Sequence, residues 1–261
     1  LNEGLNSISM KKIPKLLIAL SLAGLTGQLA QAQFTGWQNA DIGPATGGDT
    51  TTSGTQAELT GSGADIWGTC DEFQFFWGDQ TGDFDKQVRV VSLDGTHQWA
   101  KAELMVRTGD PEECGASFFA TMATRSDGNG QNQVSAQMRP AMGVDAIGPG
   151  GTAEPSYPNT WLRVAKTGTA LYSLSSTDGE VWALLHSVDT AADPAWETVP
   201  NAVSLGFAVT SHDIASTAVG TFDDFGDVTP AAPTITAQPE DQTVDTAADP
   251  AWETVPNAVS L

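Results

Sequence analysis

Side chains able to contact a ligand occupy alternate positions of residues 99–107. The odd-numbered positions include Trp99, Lys101, Glu103 and Arg107, whereas the even-numbered positions carry small or apolar side chains. Successive side chains of a β-strand point to opposite faces of its sheet. The segment therefore predicts a strand with one apolar face and one face that offers an aromatic ring and three charged groups.

This second face has the chemistry of a recognition surface. An aromatic ring provides an apolar platform, while charged and amide side chains hydrogen-bond to polar groups such as hydroxyls. Gln137 and Arg139, on a neighbouring predicted strand, would extend the surface. The alternative is that the face packs on a second sheet or is solvated and binds nothing.

Catalytic patterns are not recognisable in the chain. A retaining glycosidase needs two carboxyl groups about 5 Å apart, but Asp71 and Glu72 are adjacent on a predicted strand and would point to opposite faces. There is no G-x-S-x-G nucleophile turn, and none of His97, His186 and His212 has a nucleophile context. We therefore expect a protein that is not an enzyme.

A β-rich framework must position these candidate residues. Residues 34–228 show no convincing amphipathic helix, and runs rich in aromatic and β-branched residues alternate with Gly and Asp turn signals. Many short strands at this spacing predict an all-β fold built as a two-sheet antiparallel β-sandwich. The predicted strands are residues 73–77, 87–93, 99–107, 117–124, 133–139, 161–166, 170–176, 181–187, 204–211 and 219–225.

Short motifs recur along the same region in a recognisable order. They include G-A-D-I-W-G at residues 63–68, D-E-F at 71–73, W-A-K-A at 99–102, M-V-R at 105–107, W-L-R-V at 161–164 and F-D-D-F at 222–225. Taken together, they resemble a concanavalin A-like lectin/glucanase sandwich module of large secreted bacterial proteins. The resemblance implies a jelly roll with a concave sheet that binds glycans in many relatives, and it does not imply catalysis. Such modules usually continue W-A-K-A with Gly, whereas Glu103 stands there in this chain.

The N-terminal residues have the pattern of a secretory signal peptide. Met10 is followed by three lysines, an apolar run at residues 16–25 and an A-Q-A site at residues 30–32. The run is shorter than the about 17 to 25 residues that a membrane-spanning helix needs. We expect residues 1–9 to be upstream translation, residues 10–32 to be removed, and the protein to be secreted or at the cell surface.

The charge of the mature chain excludes some partners. Removing residues 1–32 takes away three lysines and one glutamate, so the 11 basic and 32 acidic residues become 8 and 31, a net charge of −23. Binding to nucleic acid or to anionic lipid requires a basic surface. Neither nucleic acid nor insertion into a membrane is therefore expected.

Cys70 and Cys114 are the only cysteines of the chain. Unpaired thiols are unusual in exported proteins, so we expect a disulfide bond between them. No C-x-x-C motif indicates metal or redox chemistry.

Clustered aspartates raise the question of calcium. Carboxylates are suitable Ca²⁺ ligands, but neither cluster has the spacing of an EF-hand, so solvated turns are the simpler interpretation and Ca²⁺ is the alternative. No other cofactor is expected. The residues are Asp79, Asp83, Asp85, Asp223, Asp224 and Asp227.

The composition changes after the predicted sandwich, which we place at residues 33–229. Residues 230–243 give a short Pro- and Ala-containing linker and then resemble the start of an immunoglobulin-like repeat, while residues 244–261 copy residues 188–205 letter for letter. Such identity indicates a recent duplication or a sequence-assembly fault, and we favour the fault. We expect this copy to be unfolded and the intact gene to continue into immunoglobulin-like repeats.

Together these patterns predict a secreted, non-catalytic module of a larger surface protein that binds a glycan or cell-surface polysaccharide. Two alternatives remain open. In the first, the domain is a ligand-free spacer of an adhesive stalk. In the second, it is a glycan hydrolase whose catalytic carboxylates cannot be recognised in the sequence.

Overall fold

The computed structural model describes residues 33–95, 97–125, 132–149 and 152–228. The predicted signal peptide and the predicted C-terminal copy lie outside these residues. Within the described ranges the chain forms strands and connecting turns without a helix. Consequently, no helix there has the length and apolarity needed to cross a membrane.

Two seven-stranded antiparallel sheets form a β-sandwich, with strands numbered in chain order. Sheet I contains, in spatial order, β1 (Gln38–Ile42), β4 (Phe73–Thr81), β13 (Ala202–Thr210), β6 (Lys101–Arg107), β7 (Phe118–Thr124), β8 (Val134–Arg139) and β9 (Thr152–Ala153). Sheet II contains β12 (Ala183–Asp189), β11 (Ala170–Ser176), β10 (Thr160–Thr167), β5 (Phe84–Asp94), β14 (Ala218–Asp227), β3 (Gln56–Gly61) and β2 (Asp49–Ser53). The predicted fold class is confirmed.

All ten predicted strands are present, with ends that differ by a few residues. The structure adds β1, β2, β3 and β9, which carry few large apolar side chains. Asp71 and Glu72 precede β4 rather than lying on a strand. The reason given for separating their carboxylates was therefore wrong.

The main core lies between the two sheets. Alternate residues of β6, namely Ala102, Leu104 and Val106, point into it and are almost completely buried. They pack with apolar side chains of the opposite sheet such as Val88 and Phe222. This is the apolar face that the alternation along β6 predicts.

A second, smaller core covers the other face of sheet I. Its members come from β1, β4, β6, β7 and β13, together with two residues from connections, Ile66 and Ala146. Ile66 belongs to residues 62–72, which we call the covering segment because it lies over sheet I between β3 and β4. Near the start of the covering segment, Gly63 has a φ of 119°, and a Cβ added there would collide with the Glu72 carbonyl. Sheet I is thus buried on both faces over much of its area.

A disulfide bond fixes the end of the covering segment. Cys70 and Cys114 are joined at an S–S distance of 2.09 Å, and they are the pair that the sequence analysis expected. Beside the bridge, the Asp71 N–H donates to the Cys114 carbonyl at 2.9 Å. The bridge therefore ties the covering segment to the connection between β6 and β7.

Replacing both cysteines by serine should lower the free energy of unfolding. The bridge spans a sequence separation of 44 residues, for which the chain-entropy treatment gives about 4 kcal/mol. Urea unfolding of the double variant beside the oxidised wild type measures the loss. Equal midpoints would contradict a stabilising role for the bridge.

Candidate functional site

The strongest polar contact on the outer face of sheet I is a buried cluster of three charges. Asp71 accepts two hydrogen bonds from Arg139, each of 2.6 Å, and one of 2.9 Å from Arg107. All three side chains are completely buried. Charges removed from water are stable only when they are paired and hydrogen-bonded, which this geometry provides.

Both guanidinium groups also bind the surrounding connections. Arg107 donates to the Glu113 carbonyl at 2.6 Å, and Arg139 donates to the Gly68 and Val144 carbonyls at 3.0 Å each. Each guanidinium lies 5.1 Å from the centre of a phenylalanine ring, Phe73 for Arg107 and Phe118 for Arg139. The two arginines thus hold several loops on the sheet and have no exposed surface for a ligand.

The predicted recognition surface is therefore corrected in part. The alternation along β6 is right, but the prediction that Glu103, Arg107 and Arg139 lie on an open face is wrong, because all three side chains are completely buried. The covering segment contacts both arginines, and residue 144 contacts Arg139. Trp99, Lys101 and Gln137 do lie together, at the edge that this layer leaves uncovered. The expected face is thus reduced to a pocket.

This pocket has a volume of about 390 Å³. Two tryptophans flank it: Trp67 of the covering segment is 45% exposed, and Trp99 precedes β6 and is half-buried. Its floor and walls combine side chains of β7 and β8 with polar groups of the connections. The other lining residues are Asp65, Lys101, Met122, Gln133, Ser135, Ala136, Gln137, Gly148 and His212.

The charged groups of the pocket compensate each other. Asp65 forms an ion pair with Lys101, and its Oδ2 lies 3.1 Å from Nε2 of His212. The His212 ring stacks on His97 with 4.3 Å between centroids, and the backbone N–H of Trp99 donates to Nδ1 of His97 at 3.1 Å. Burial and the neighbouring His212 lower the pKa of His97. The wall therefore carries a closed network rather than an unpaired charge.

Gln137 supplies an acceptor without a partner. Its Nε2 donates to the Ile66 carbonyl, which orients the amide. Its Oε1 is buried and accepts no hydrogen bond from the residues that the structure describes, although the side chain lines the pocket. A buried acceptor left in this state is costly.

Glu103 is the second buried group without partners. Neither carboxyl oxygen has a hydrogen-bond partner within the part of the chain that the structure describes, and the side chain has no exposed surface. Burial, chiefly, raises the pKa of Glu103 to about 8. The carboxyl group is therefore mostly protonated at neutral pH.

The aspartates considered for calcium mostly pair with basic side chains. Asp85 binds Arg163, Asp227 binds Lys86, and Asp223 and Asp224 bind Arg89, while Asp83 lies 3.9 Å from Lys166. Across the described ranges, no group of three or more His, Cys, Asp or Glu side chains is arranged to hold a metal ion. Calcium binding stays a prediction without a site there.

Several pocket residues were not singled out from the sequence as ligand contacts. Trp67 and Asp65 lie in the G-A-D-I-W-G motif, but a motif in a turn does not reveal which strand it will cover. His97 and His212 come together from connections more than 100 residues apart in sequence. Trp67 could have been found from the sequence, because it is an aromatic residue in a Gly-rich segment.

Comparison with known proteins supports the fold. No protein-family profile and no curated protein sequence matches this chain. A functionally unknown protein from Saccharomyces cerevisiae is similar in structure, with a TM-score of 0.57 and 16% identity over 76% of this chain and 99% of that one.

Two further solved structures are more distant. The carbohydrate-binding module CBM66 from Bacillus subtilis has a TM-score of 0.45 and 13% identity over 73% of this chain and 93% of the module. Lectin II from Ulex europaeus has a TM-score of 0.43 and 11% identity over 72% and 96%. Of the three, the yeast protein alone is close enough to establish the sandwich fold.

Replacing Asp71 with Asn should destabilise the protein by about 3 to 5 kcal/mol, because two buried guanidinium groups lose their counter-charge. Asp145→Asn, at an exposed position, is the matched control. Chemical denaturation compares the two variants. A loss for Asp71→Asn no larger than that of the control would show that the cluster does not hold the covering segment.

Replacing Glu103 with Gln should change how stability depends on pH. The folded protein keeps the Glu103 proton up to about pH 8, whereas the unfolded chain releases it near the ordinary value of 4.5. Stability from this group is therefore complete below pH 4.5 and is lost as pH rises through 8. Unfolding measured at pH 5, 7 and 9 should show the variant gaining on the wild type at each step. Parallel pH profiles would contradict this.

Proposed function

We propose that the protein binds carbohydrate in the pocket between Trp67 and Trp99. The observation that carries the proposal is the combination of two indole rings with the polar side chains that line the same pocket, among them Asp65, Lys101 and Gln137. Sugars have apolar C–H faces that pack on aromatic rings, and hydroxyl groups that donate hydrogen bonds. The pocket presents partners for both.

The electrostatics favour a neutral sugar. Asp65 and Lys101 form an ion pair with each other, so the wall does not require a charged ligand. The volume of about 390 Å³ lies within the usual range of small-molecule sites. A short neutral oligosaccharide, or the end of a longer chain, fits this combination of size, apolar rings and hydrogen-bonding groups.

Secretion and membership of a larger surface protein belong to the same proposal. The signal-peptide pattern of residues 10–32 and the Cys70–Cys114 disulfide support export, since disulfide bonds persist in oxidising compartments. The protein acts in this proposal as a non-catalytic recognition module.

Removal of either indole ring should weaken binding without unfolding the protein. Trp67→Ala and Trp99→Ala each remove a stacking surface and belong to neither apolar core, so we expect about tenfold or greater loss of affinity. A glycan array identifies the ligand, and titration calorimetry measures the variants. Trp182→Ala is the matched control, because Trp182 is half-buried, precedes β12 of sheet II and lies under the Arg163 guanidinium, away from the pocket.

The alternatives give different results in the same experiments. A ligand-free spacer would bind no glycan on the array, and a hydrolase would release reducing ends from the bound oligosaccharide. Equal affinities for wild type and both pocket variants, or weaker binding by the Trp182 variant alone, would contradict the assignment of the pocket.

A further inference from the structure

Glu103 is a neighbour, on sheet I, of two residues that line the pocket. On β6 it follows Lys101 by two residues and points to the same face. Its cross-strand partners are Met122 of β7 and Ala208 of β13, which are uncharged. Lys101 and Met122 both line the pocket. A buried carboxyl group without a hydrogen-bond partner among the described residues thus lies next to Lys101 and Met122 of the pocket lining.

Lys101 is the nearest cation along the strand. Two residues of a strand span about 7 Å, whereas Arg107, four residues beyond Glu103, is about 13 Å away along the backbone. Arg107 is in addition bonded to Asp71 and to the Glu113 carbonyl. The other charges that act on Glu103, those of Asp65 and Asp71, are negative. Lys101 is therefore the cation with which an ionised Glu103 would pair, and Lys101 already forms an ion pair with Asp65.

The Lys101–Asp65 ion pair joins the covering segment to sheet I. Asp65 is in the covering segment two residues before Trp67, while Lys101 is fixed in the sheet. Their ion pair holds the segment on the N-terminal side of the exposed indole, beside the contacts that Gln137 and Arg139 make with the Ile66 and Gly68 carbonyls. His212 binds the second oxygen of Asp65 but lies outside the strands. We call residues 65–67 the rim of the pocket. Loss of the lysine contact would remove one of the contacts that hold this rim on the sheet.

We propose that Glu103 is a positioning residue whose protonation controls the pocket wall. When protonated, it leaves Lys101 to Asp65, and the rim with Trp67 is held in place. When it loses its proton to solvent, it competes with Asp65 for Lys101, and the rim loosens. On the proposed carbohydrate-binding function, affinity then falls as Glu103 ionises.

The size of the effect follows from the titration. Since burial places the pKa of Glu103 at about 8, roughly a tenth of the molecules keep the proton at pH 9. If the protonated form alone binds, the apparent affinity decreases about tenfold between pH 7 and pH 9. Replacing Glu103 with Gln imitates the neutral carboxyl group and should remove most of that decrease.

A ligand-free measurement tests the coupling itself. Full-length protein labelled with ¹⁵N in tryptophan is titrated from pH 6 to pH 9.5, and the indole signals of Trp67 and Trp99 are followed. We expect a transition near pH 8 in the wild type and in Glu180→Gln, which removes an exposed carboxylate elsewhere. The transition should be absent in Glu103→Gln. Unchanged indole signals in the wild type, or the same transition in Glu103→Gln, would overturn the proposal.

A second variant keeps the test decisive if Glu103→Gln does not fold. Asp65→Asn removes the carboxylate with which Glu103 competes, so the indole transition should disappear there as well. A transition that persists in Asp65→Asn would overturn the coupling.

Binding measured at pH 7 and pH 9 separates this inference from the proposed function. With the oligosaccharide selected by the array, we expect about a tenfold loss in the wild type and less than twofold in Glu103→Gln. Equal losses in both proteins would overturn the role of Glu103. An indole transition at pH 8 in a protein that binds no glycan would contradict the proposed function alone and leave the coupling in place.

Discussion

The burial of one face of sheet I depends on the ionic contacts of Asp71. A carboxylate buried completely between two guanidinium groups holds the covering segment, the β6–β7 connection and residues near 144 against one face of the sheet. The Cys70–Cys114 bridge adjoins it in sequence, so covalent and ionic constraints act on the same short stretch. Because these loops are fixed, sheet I has a second apolar core where a sandwich of two bare sheets would expose polar side chains to water.

The sequence predicted the strands well because their aromatic and β-branched runs are separated by clear turns. It also predicted which side chains of β6 share a face. It could not reveal what covers that face, since the coverage depends on Asp71 meeting Arg107 and Arg139 across sequence separations of 36 and 68 residues. Charged side chains on an alternating strand usually face water. Arg107 and Arg139 instead face the buried carboxylate of Asp71, and a small pocket remains of the expected open surface.

The pocket is what remains where the covering layer ends. One wall is rigid, formed by β6, β7 and β8, and the other is the segment that carries Asp65 and Trp67. Binding groups therefore come from both sides: Trp99, Lys101 and Gln137 from the sheet side, which the sequence indicated, and Trp67 from the loop side. A site of this kind depends on the same contacts that stabilise the fold, so its geometry and the protonation of the groups beneath it are linked.

A crystal structure of the protein with its oligosaccharide bound would test whether the pocket between Trp67 and Trp99 is the binding site. We expect a sugar ring packed against Trp67 or Trp99, with its hydroxyl groups hydrogen-bonded to polar side chains of the pocket and the Asp71 cluster undisturbed. An oligosaccharide bound instead on the outer face of sheet II, beside Trp161 and Trp182, with the pocket of sheet I empty, would contradict it.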